Sequence, residues 1–317
     1  MVLAYNLSSH ITDTLKEIDH LWTKLLLMPL SPRSELRLKW EATVAKTYWS
    51  LTLSNNNLTK NQMAKVLSFP KAKKYTKEEQ EVINYKKALS TINNEWLVNG
   101  RPLSILTFYS LFFTACRPTV EKYQNTPLNG KKDLKKLFEF LHNSNEHPCL
   151  QAGIAMISVI EIAPFLEGNG RMARLTPYIY LYKNGYDMRG IFVLDEFLRR
   201  DLVGLNLAVE SVRKSGNLTV WLEYFVKGCL IQLQKACEIA EEARFSVDSS
   251  ATYTKLNNRQ KEILDYLDLP GAKISNKTVQ DKFKVSQITA SRDLAKMHEL
   301  DLILVHGKGR STYYTKV

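Results

Sequence analysis

The chain has 317 residues, a length that predicts two or three domains. With 44% hydrophobic and 24% charged residues, the composition is that of a globular protein. No run reaches the roughly 18 apolar residues of a membrane span, so a membrane protein is excluded. The net charge of +12 favours an anionic partner such as nucleic acid, a nucleotide or lipid headgroups.

The N-terminus and the cysteines both predict a cytoplasmic protein. The first residues contain neither the basic nor the long apolar stretch of a secretory signal. The cysteines form no CxxC pair and have mostly apolar neighbours, which predicts buried, reduced thiols. They are Cys116, Cys149, Cys229 and Cys237.

Residues 1–80 are predicted to form an N-terminal helical region. A helix over 34–49 is followed by the small polar run at 54–57, which favours a turn. Thr59 is a suitable N-cap for the next helix.

Residues 81–245 show helical periodicity almost throughout, which predicts an all-α domain. Short breaks with Pro or Gly separate the segments. The predicted helices cover 82–97, 104–115, 133–142, 150–162, 171–184, 195–215 and 219–244.

Residues 255–317 have a different pattern. One helix is predicted over 258–267, and two more end near 283 and 300. Two β-like runs, 302–306 and 311–315, flank a Gly-rich turn, which predicts a hairpin. Three helices and a hairpin predict a winged helix-turn-helix domain.

A phosphate-binding loop is predicted at Gly168-Asn169-Gly170-Arg171. Gly and Asn tolerate positive φ, and a helix whose N–H groups can bind phosphate follows at once. Arg171 and Arg174 lie three residues apart on one helix face, where guanidinium forks suit phosphate oxygens. Glu167, just before the loop, can hold Mg²⁺. The alternative is a Gly-containing turn with two surface arginines.

The longer string Ile-Ala-Pro-Phe-Leu-Glu-Gly-Asn-Gly-Arg-Met-Ala-Arg at 162–174 resembles the motif of the Fic (Fido-fold) family. In that motif His precedes Pro-Phe, and Asp/Glu-Gly-Asn-Gly-Arg-x-x-Arg follows. The segments at 84–88, 147–148 and 181–186 also resemble the family, so the similarity covers roughly 35–245. It implies a mainly α fold with an all-helical Fic core and N-terminal helices. The segments 286–294 and 307–314 resemble the C-terminal winged helix-turn-helix found on many Fic proteins.

The resemblance also implies an activity. Members of the family usually transfer AMP from ATP onto a hydroxyl of a target protein, with ATP and Mg²⁺ as ligands. By position, Arg171 and Arg174 would grip the phosphates, and Gly168 and Gly170 would form the anion hole. Asn169 would order the loop, and Glu167 would hold Mg²⁺.

One departure from the motif affects catalysis. The family's catalytic His falls on Ala163, and a methyl group cannot accept the proton of the attacking hydroxyl. A positioned general base typically contributes about 10²–10⁴-fold. We therefore expect weak or absent AMP transfer with Mg·ATP binding retained. Ala163 is either natural, in a degenerate relative, or a deliberate His-to-Ala change. The alternative to an impaired enzyme is a working enzyme that uses another base or another phosphate-containing donor.

Two further departures concern regulation and target docking. Residues 50–55 resemble the end of the family's inhibitory helix, but its Glu position is Ser54, so autoinhibition through Arg174 would be lost. The alternative is that this segment is simply the C-terminus of a helix. The flap that aligns target peptides falls on 116–127 and looks shorter than usual.

The third helix of the C-terminal domain is predicted to bind DNA. Ser286 is its N-cap, and Ala290, Leu294 and Met297 face inward. Its polar face suits the major groove, and the wing suits phosphates or the minor groove. The polar face consists of Thr289, Arg292, Asp293 and Lys296. Two further residues of this helix, Gln287 and Ser291, can also reach DNA. The wing offers Lys308 and Arg310.

The C-terminal domain therefore supports a second hypothesis. Residues 255–317 carry 12 Lys and Arg against 7 Asp and Glu, a net charge of +5. The protein would then be a DNA-binding transcriptional regulator whose Fic-like domain is a nucleotide sensor or a scaffold. A winged helix used for protein contacts or homodimerisation is the alternative.

Overall fold

The computed structural model describes residues 4–68, 74–116, 130–246, 256–267, 271–300, 302–307 and 309–316. The chain forms two compact units, Met1–Arg244 and Phe245–Val317. The prediction of a mainly helical fold is confirmed, and every named element described in the first unit is a helix. None of the described helices has the length and apolar character needed to cross a bilayer.

The described residues of the first unit contain α1 to α11. A π-helical segment, Asn93–Val98, extends α4, and a 3-10 turn, Met188–Gly190, precedes α9. The helices are α1 Ser9–Leu27, α2 Pro32–Thr52, α3 Lys60–Ser68, α4 Lys77–Ile92, α5 Ile105–Cys116, α6 Lys131–Asn143, α7 Pro148–Ile162, α8 Asn169–Lys183, α9 Leu194–Arg200, α10 Leu202–Ser215 and α11 Thr219–Ser246.

Helices α7 and α8 lie at the centre of this unit and pack against each other. Residues 149–159 of α7 and 172–182 of α8 are all buried. A helix that is apolar on every face must be covered on every face. Helix α11 covers α7 closely, since Trp221 Nε1 donates a 2.8 Å hydrogen bond to the Gly153 carbonyl. The central position of α7 fixes where the loop that follows it begins.

Side-chain caps define several helix starts. Thr59 caps α3 as predicted: its Oγ1 accepts a hydrogen bond from the Gln62 amide at 3.3 Å, and its own amide donates to Gln62 Oε1 at 2.8 Å. The single helix predicted over 195–215 is wrong. Asp201, with φ −115° and ψ 62°, breaks it into α9 and α10 and caps α10 by accepting from the Gly204 amide at 2.9 Å.

The second unit contains α12 Asn258–Leu267, α13 Asn276–Phe283, α14 Gln287–Glu299, β1 Ile303–His306 and β2 Tyr313–Lys316. The strands are antiparallel, with Ile303 opposite Lys316 and His306 opposite Tyr313. The second strand begins later than predicted because Gly309–Ser311 forms a 3-10 turn. Apolar residues from all three helices and β1 form a separate core, among them Ile263, Val279, Leu294 and Ile303.

Candidate functional site

The predicted phosphate loop borders a cleft of about 390 Å³ in the first unit. The cleft lies between the C-terminal end of α2, α4, α5 and the start of α8. It is lined by Leu53, Ser54, Lys77, Glu81, Phe112, Cys116, Glu167, Gly168, Gly170, Arg171 and Arg174. The structure thus places the predicted Glu167, both glycines, both arginines and Ser54 around one cavity.

The shape of the loop is set by its own backbone and by Asn169. Helix α7 ends at Ile162, and the next residue, Ala163, is left-handed with φ 43° and ψ 59°. Asn169 then closes the loop against Phe165: its Oδ1 accepts from the Phe165 amide at 2.9 Å, and its Nδ2 donates to the Phe165 carbonyl at 2.5 Å. The turn between α7 and α8 is therefore held by hydrogen bonds that do not involve the side chain at 163.

The two glycines of the loop are needed for different reasons. Gly168 has φ +84°, and a Cβ there would lie 2.8 Å from Cys116 Sγ and 3.1 Å from Phe112 Cε2. Gly170 is already helical, and a Cβ there would lie 3.1 Å from Arg174 Nη1. Only Gly168 uses the positive φ that the loop sequence allows.

Arg174 is anchored by the C-terminal end of α2. Its Nε donates to Ser50 Oγ at 2.7 Å, and its Nη2 donates to the Ser50 carbonyl at 2.9 Å and to Ser54 Oγ at 2.6 Å. The remaining nitrogen, Nη1, lies beside Gly170 at the start of α8. One edge of the guanidinium is therefore held by protein, and Nη1 is left at the helix N-terminus.

A buried carboxylate lies behind Arg174. Asp195 Oδ1 is 4.0 Å from Arg174 Nε, and Asp195 Oδ2 accepts a 2.6 Å hydrogen bond from the Tyr178 hydroxyl. Burial raises the pKa of Asp195, which the hydrogen bond from Tyr178 and the charge of Arg174 oppose. Burial also lowers the pKa of Arg174, which the negative charges nearby oppose. Asp195 lies 21 residues after Arg174 in the chain, and no sequence pattern connects it with the loop.

Arg171 forms an ion pair that the sequence analysis did not anticipate. Its Nη2 lies 2.5 Å from Glu81 Oε1, and both side chains are 12% exposed. Asn56 Nδ2 donates to the other oxygen, Glu81 Oε2, at 2.8 Å, and Asn56 Oδ1 accepts from the Leu58 amide at 3.1 Å. The sequence feature that could have indicated this ion pair is the position of Glu81 beside Val82, among the inward-facing residues of α4.

Charged groups of both signs line the cleft. Lys77, at the start of α4, adds a third cation to the two arginines. Glu167 is exposed beside the loop, and Glu81 is the second carboxylate. Burial raises the pKa of the Cys116 thiol to about 11, so this side chain stays protonated at neutral pH. Among the described residues, no group of three or more His, Cys, Asp or Glu is arranged to hold a metal ion.

The motif position normally taken by the base has no histidine substitute nearby. Ala163 is exposed at the C-terminal end of α7, whereas His147 caps the N-terminal end of this 15-residue helix, about 22 Å away. His147 Nδ1 accepts from the Cys149 amide at 3.1 Å, and its Nε2 lies 2.9 Å from Asp19 Oδ1. No histidine in the described part of the chain lines the cleft.

The structure separates the residues predicted to bind DNA. Gln287, Ser291, Arg292 and Lys296 are exposed on α14, and Thr289 is half-buried. The placement of Asp293 on that polar face is wrong, because Asp293 is only 5% exposed. Its carboxylate accepts hydrogen bonds from Arg259 Nε at 2.5 Å and Gln260 Nε2 at 2.8 Å, which hold α12 against α14.

Some predicted features lie outside the described residues. These are the flap beyond Cys116, the wing residue Lys308 and the side chain of Arg310.

Comparison with known proteins finds one family. Residues 108–181 match the sequence model of the Fic/DOC family, a segment that contains α7, the loop and most of α8. No curated protein sequence matches the chain at a significant level.

Solved structures of Fic proteins have a similar fold. A Fic family protein from Desulfovibrio desulfuricans G20 aligns with a TM-score of 0.65 and 18% identity, over 100% of this chain and 98% of that chain. A Fic domain containing signaling protein from Bacteroides thetaiotaomicron gives 0.58 and 20%, over 74% and 97%. Fic-1 from C. elegans (residues 134–508) gives 0.59 and 19%, over 72% and 71%. At these identities the comparisons establish a Fic fold.

Proposed function

We propose that this chain binds a Mg²⁺-bound nucleotide, ATP by the resemblance, in the cleft, and that it transfers AMP weakly or not at all. The observation that carries the proposal is the pairing of an intact phosphate loop with an alanine at 163. Gly168, Gly170 and Arg174 form a concave, positively charged helix start, whereas Ala163, five residues before Gly168, offers no proton acceptor.

Phosphate binding follows from three features of this helix start. The first N–H groups of α8 have no partner within the helix, and its dipole favours an anion there. The missing side chain of Gly170 leaves space for a ligand at the start of α8, beside Arg174 Nη1. Arg174 Nη1 points to the same place, because Ser50 and Ser54 hold the other edge of the guanidinium. Phosphate oxygens accept such N–H groups in short, charge-assisted hydrogen bonds.

The site also fits Mg²⁺, which needs few protein ligands when phosphates supply the others. Glu167 presents an exposed carboxylate directly before Gly168. Glu167 would hold the ion, and phosphate oxygens and water would supply its other ligands. When bound, the ion would neutralise phosphate charge, so that the two arginines and Lys77 need not balance a polyphosphate alone.

Transfer of AMP requires removal of a proton from the attacking hydroxyl, and residue 163 is where the family's base stands. We expect Ala163→His to raise the incorporation of labelled AMP by about 10²–10⁴-fold. The backbone at 163 is compatible with this change, because histidine is among the residues enriched in the left-handed region. Equal labelling by both proteins would show that another base operates or that the rest of the site is not competent.

Calorimetry with Mg·ATP tests the binding part directly. We expect saturable binding by the chain as it stands, and a loss of about tenfold or more in Arg171→Ala. Arg213→Ala is the matched control, since Arg213 pairs with Glu161 on an exposed surface. Absence of binding, or identical affinities in all three proteins, would rule out the cleft as a nucleotide site.

A second candidate function is DNA binding by the C-terminal unit. It is favoured by one observation: α13 and α14 form two short helices joined by three residues, with Gln287, Arg292 and Lys296 exposed on the second. A polar helix face of this kind fits a major groove. The first unit would then act as a nucleotide sensor or a scaffold.

A salt-dependent DNA shift assay tests this alternative. Each lost phosphate contact should lower the slope of log K against log salt concentration by about 1. We expect this loss in Lys296→Ala and in the double variant Lys308→Ala/Arg310→Ala. Lys214→Ala, in the first unit, is the control. DNA binding that is unchanged in both variants would show that α14 and the wing are not the DNA-binding surface.

A further inference from the structure

Arg174 is a buried cation at the edge of the phosphate cleft. The residue is only 8% exposed, and a guanidinium does not give up its proton to avoid the cost of burial. A buried charge is costly unless an opposite charge lies close to it. Ser50 and Ser54 accept hydrogen bonds from Arg174, but neither carries a charge. Arg174 therefore requires a counter-ion from another part of the fold.

Asp195 supplies the opposite charge. Its Oδ1 lies 4.0 Å from Arg174 Nε, and among the described residues this is the only ion pair that Arg174 makes. Asp195 is 1% exposed, and Oδ1 accepts no hydrogen bond from the described part of the chain. The negative charge on this oxygen is therefore left to Arg174.

The other oxygen of Asp195 is fixed by a buried tyrosine. Tyr178 donates its hydroxyl proton to Asp195 Oδ2 at 2.6 Å, and the same hydroxyl oxygen accepts from the Leu194 amide at 3.1 Å. Asp195 is not among the residues that line the cleft. It can therefore act on a ligand in the cleft only through Arg174.

We infer that Asp195 is a counter-ion that competes with the nucleotide phosphates for Arg174 and thereby lowers nucleotide affinity. The inference rests on the proposed function, because it concerns the same cleft. A phosphate bound at Arg174 Nη1 shares the charge of this arginine with the carboxylate behind it. At a separation of about 8 Å, their repulsion corresponds to about tenfold or more in affinity at an effective dielectric constant of 20.

Calorimetry with Mg·ATP tests the competition. Asp195→Asn keeps the size of the side chain and removes its charge, so we expect binding about tenfold tighter than in the parent chain. Glu196→Gln is the matched control and should bind like the parent, since Glu196 is also buried but pairs with Lys235. Weaker or unchanged binding by Asp195→Asn would overturn the inference alone. No binding by the parent chain would overturn the proposed function on which it rests.

The stability of the chain without nucleotide should change in the opposite direction. In Asp195→Asn the guanidinium of Arg174 is buried without a counter-ion, and we expect the melting temperature to fall by about 5 °C or more. Mg·ATP should raise the melting temperature of this variant more than that of the parent, because it binds the variant more tightly. If Asp195 only held Arg174 in position, its loss would lower both stability and affinity, which would contradict the inference.

A double-variant cycle tests the counter-ion role without nucleotide. Arg174→Met removes the cation, so Asp195→Asn should cost much less stability in that background than in the parent chain. Equal falls in melting temperature in the two backgrounds would overturn the inference. Should Asp195→Asn not fold alone, the double variant should still fold, because neither charge is left without a partner. Its failure to fold would likewise overturn the inference.

Discussion

Ser54 contacts Arg174 directly: the serine hydroxyl accepts a 2.6 Å hydrogen bond from the guanidinium Nη2. These residues are 120 positions apart in the chain. The position that the family resemblance assigns to an inhibitory glutamate is thus within reach of the arginine, but it carries a neutral hydroxyl. A hydroxyl holds the guanidinium in place without neutralising its charge.

Ser54→Glu should therefore restore an internal competitor for the nucleotide. A carboxylate beside Arg174 would form an ion pair in place of the hydroxyl contact, and we expect Mg·ATP affinity to fall by about tenfold or more in calorimetry. Ser54→Gln, with the same size and no charge, is the control. A glutamate variant that bound as tightly as the glutamine variant would contradict this expectation.

Glu81→Gln should have the opposite effect. Glu81 neutralises Arg171 inside the cleft, and repulsion between a carboxylate and a phosphate about 7 Å apart is about 2 kcal/mol at an effective dielectric constant of 20. Removing the charge should raise nucleotide affinity by about tenfold, measured against the exposed Glu78→Gln on the same helix. A fall in affinity would show instead that Glu81 holds Arg171 in its binding orientation.

Gly168→Ala should destabilise the chain more than Gly185→Ala does. Both glycines have positive φ, +84° and +75°, so both substitutions add backbone strain of about 1 kcal/mol. Only at 168 would the new Cβ meet neighbours, Cys116 and Phe112, which should add about 1–3 kcal/mol. Urea unfolding of the two variants checks this, and equal losses would mean that the loop can relax.

Asp293→Ala should loosen the second unit. The carboxylate is buried and accepts hydrogen bonds from Arg259 and Gln260, whose donors would lose their partner. We expect a loss of about 1–3 kcal/mol, seen as faster proteolysis within residues 256–316 of the full chain. The exposed Asp281→Ala is the control. Unchanged proteolysis in both variants would show that Asp293 does not stabilise the packing of α12 against α14.

Local chemistry made much of this protein predictable. The predicted N-caps Thr59 and Ser286 act as caps, and the inward residues of α14, Ala290 and Leu294, are buried, because capping and periodicity depend only on near neighbours. The break at Asp201 was missed, since the residues on either side of it continue a helical pattern.

Contacts over long chain separations were not predictable. Glu81 and Arg171 are 90 residues apart, and no local pattern around Glu81 on α4 indicates which cation it pairs with. Asp293 has the spacing of a polar surface residue, but α12 covers it with Arg259, so the tertiary contact overrides the pattern.

The left-handed backbone at Ala163 bears on how this lineage could change. The loop after it is clamped by Asn169 onto Phe165, so its shape owes nothing to the side chain at 163. We expect substitutions there to leave the hydrogen bonds between Asn169 and Phe165 in place. Under the proposed function, one codon separates this gene from a catalytic version, and selection could cross that gap in either direction while the fold is preserved.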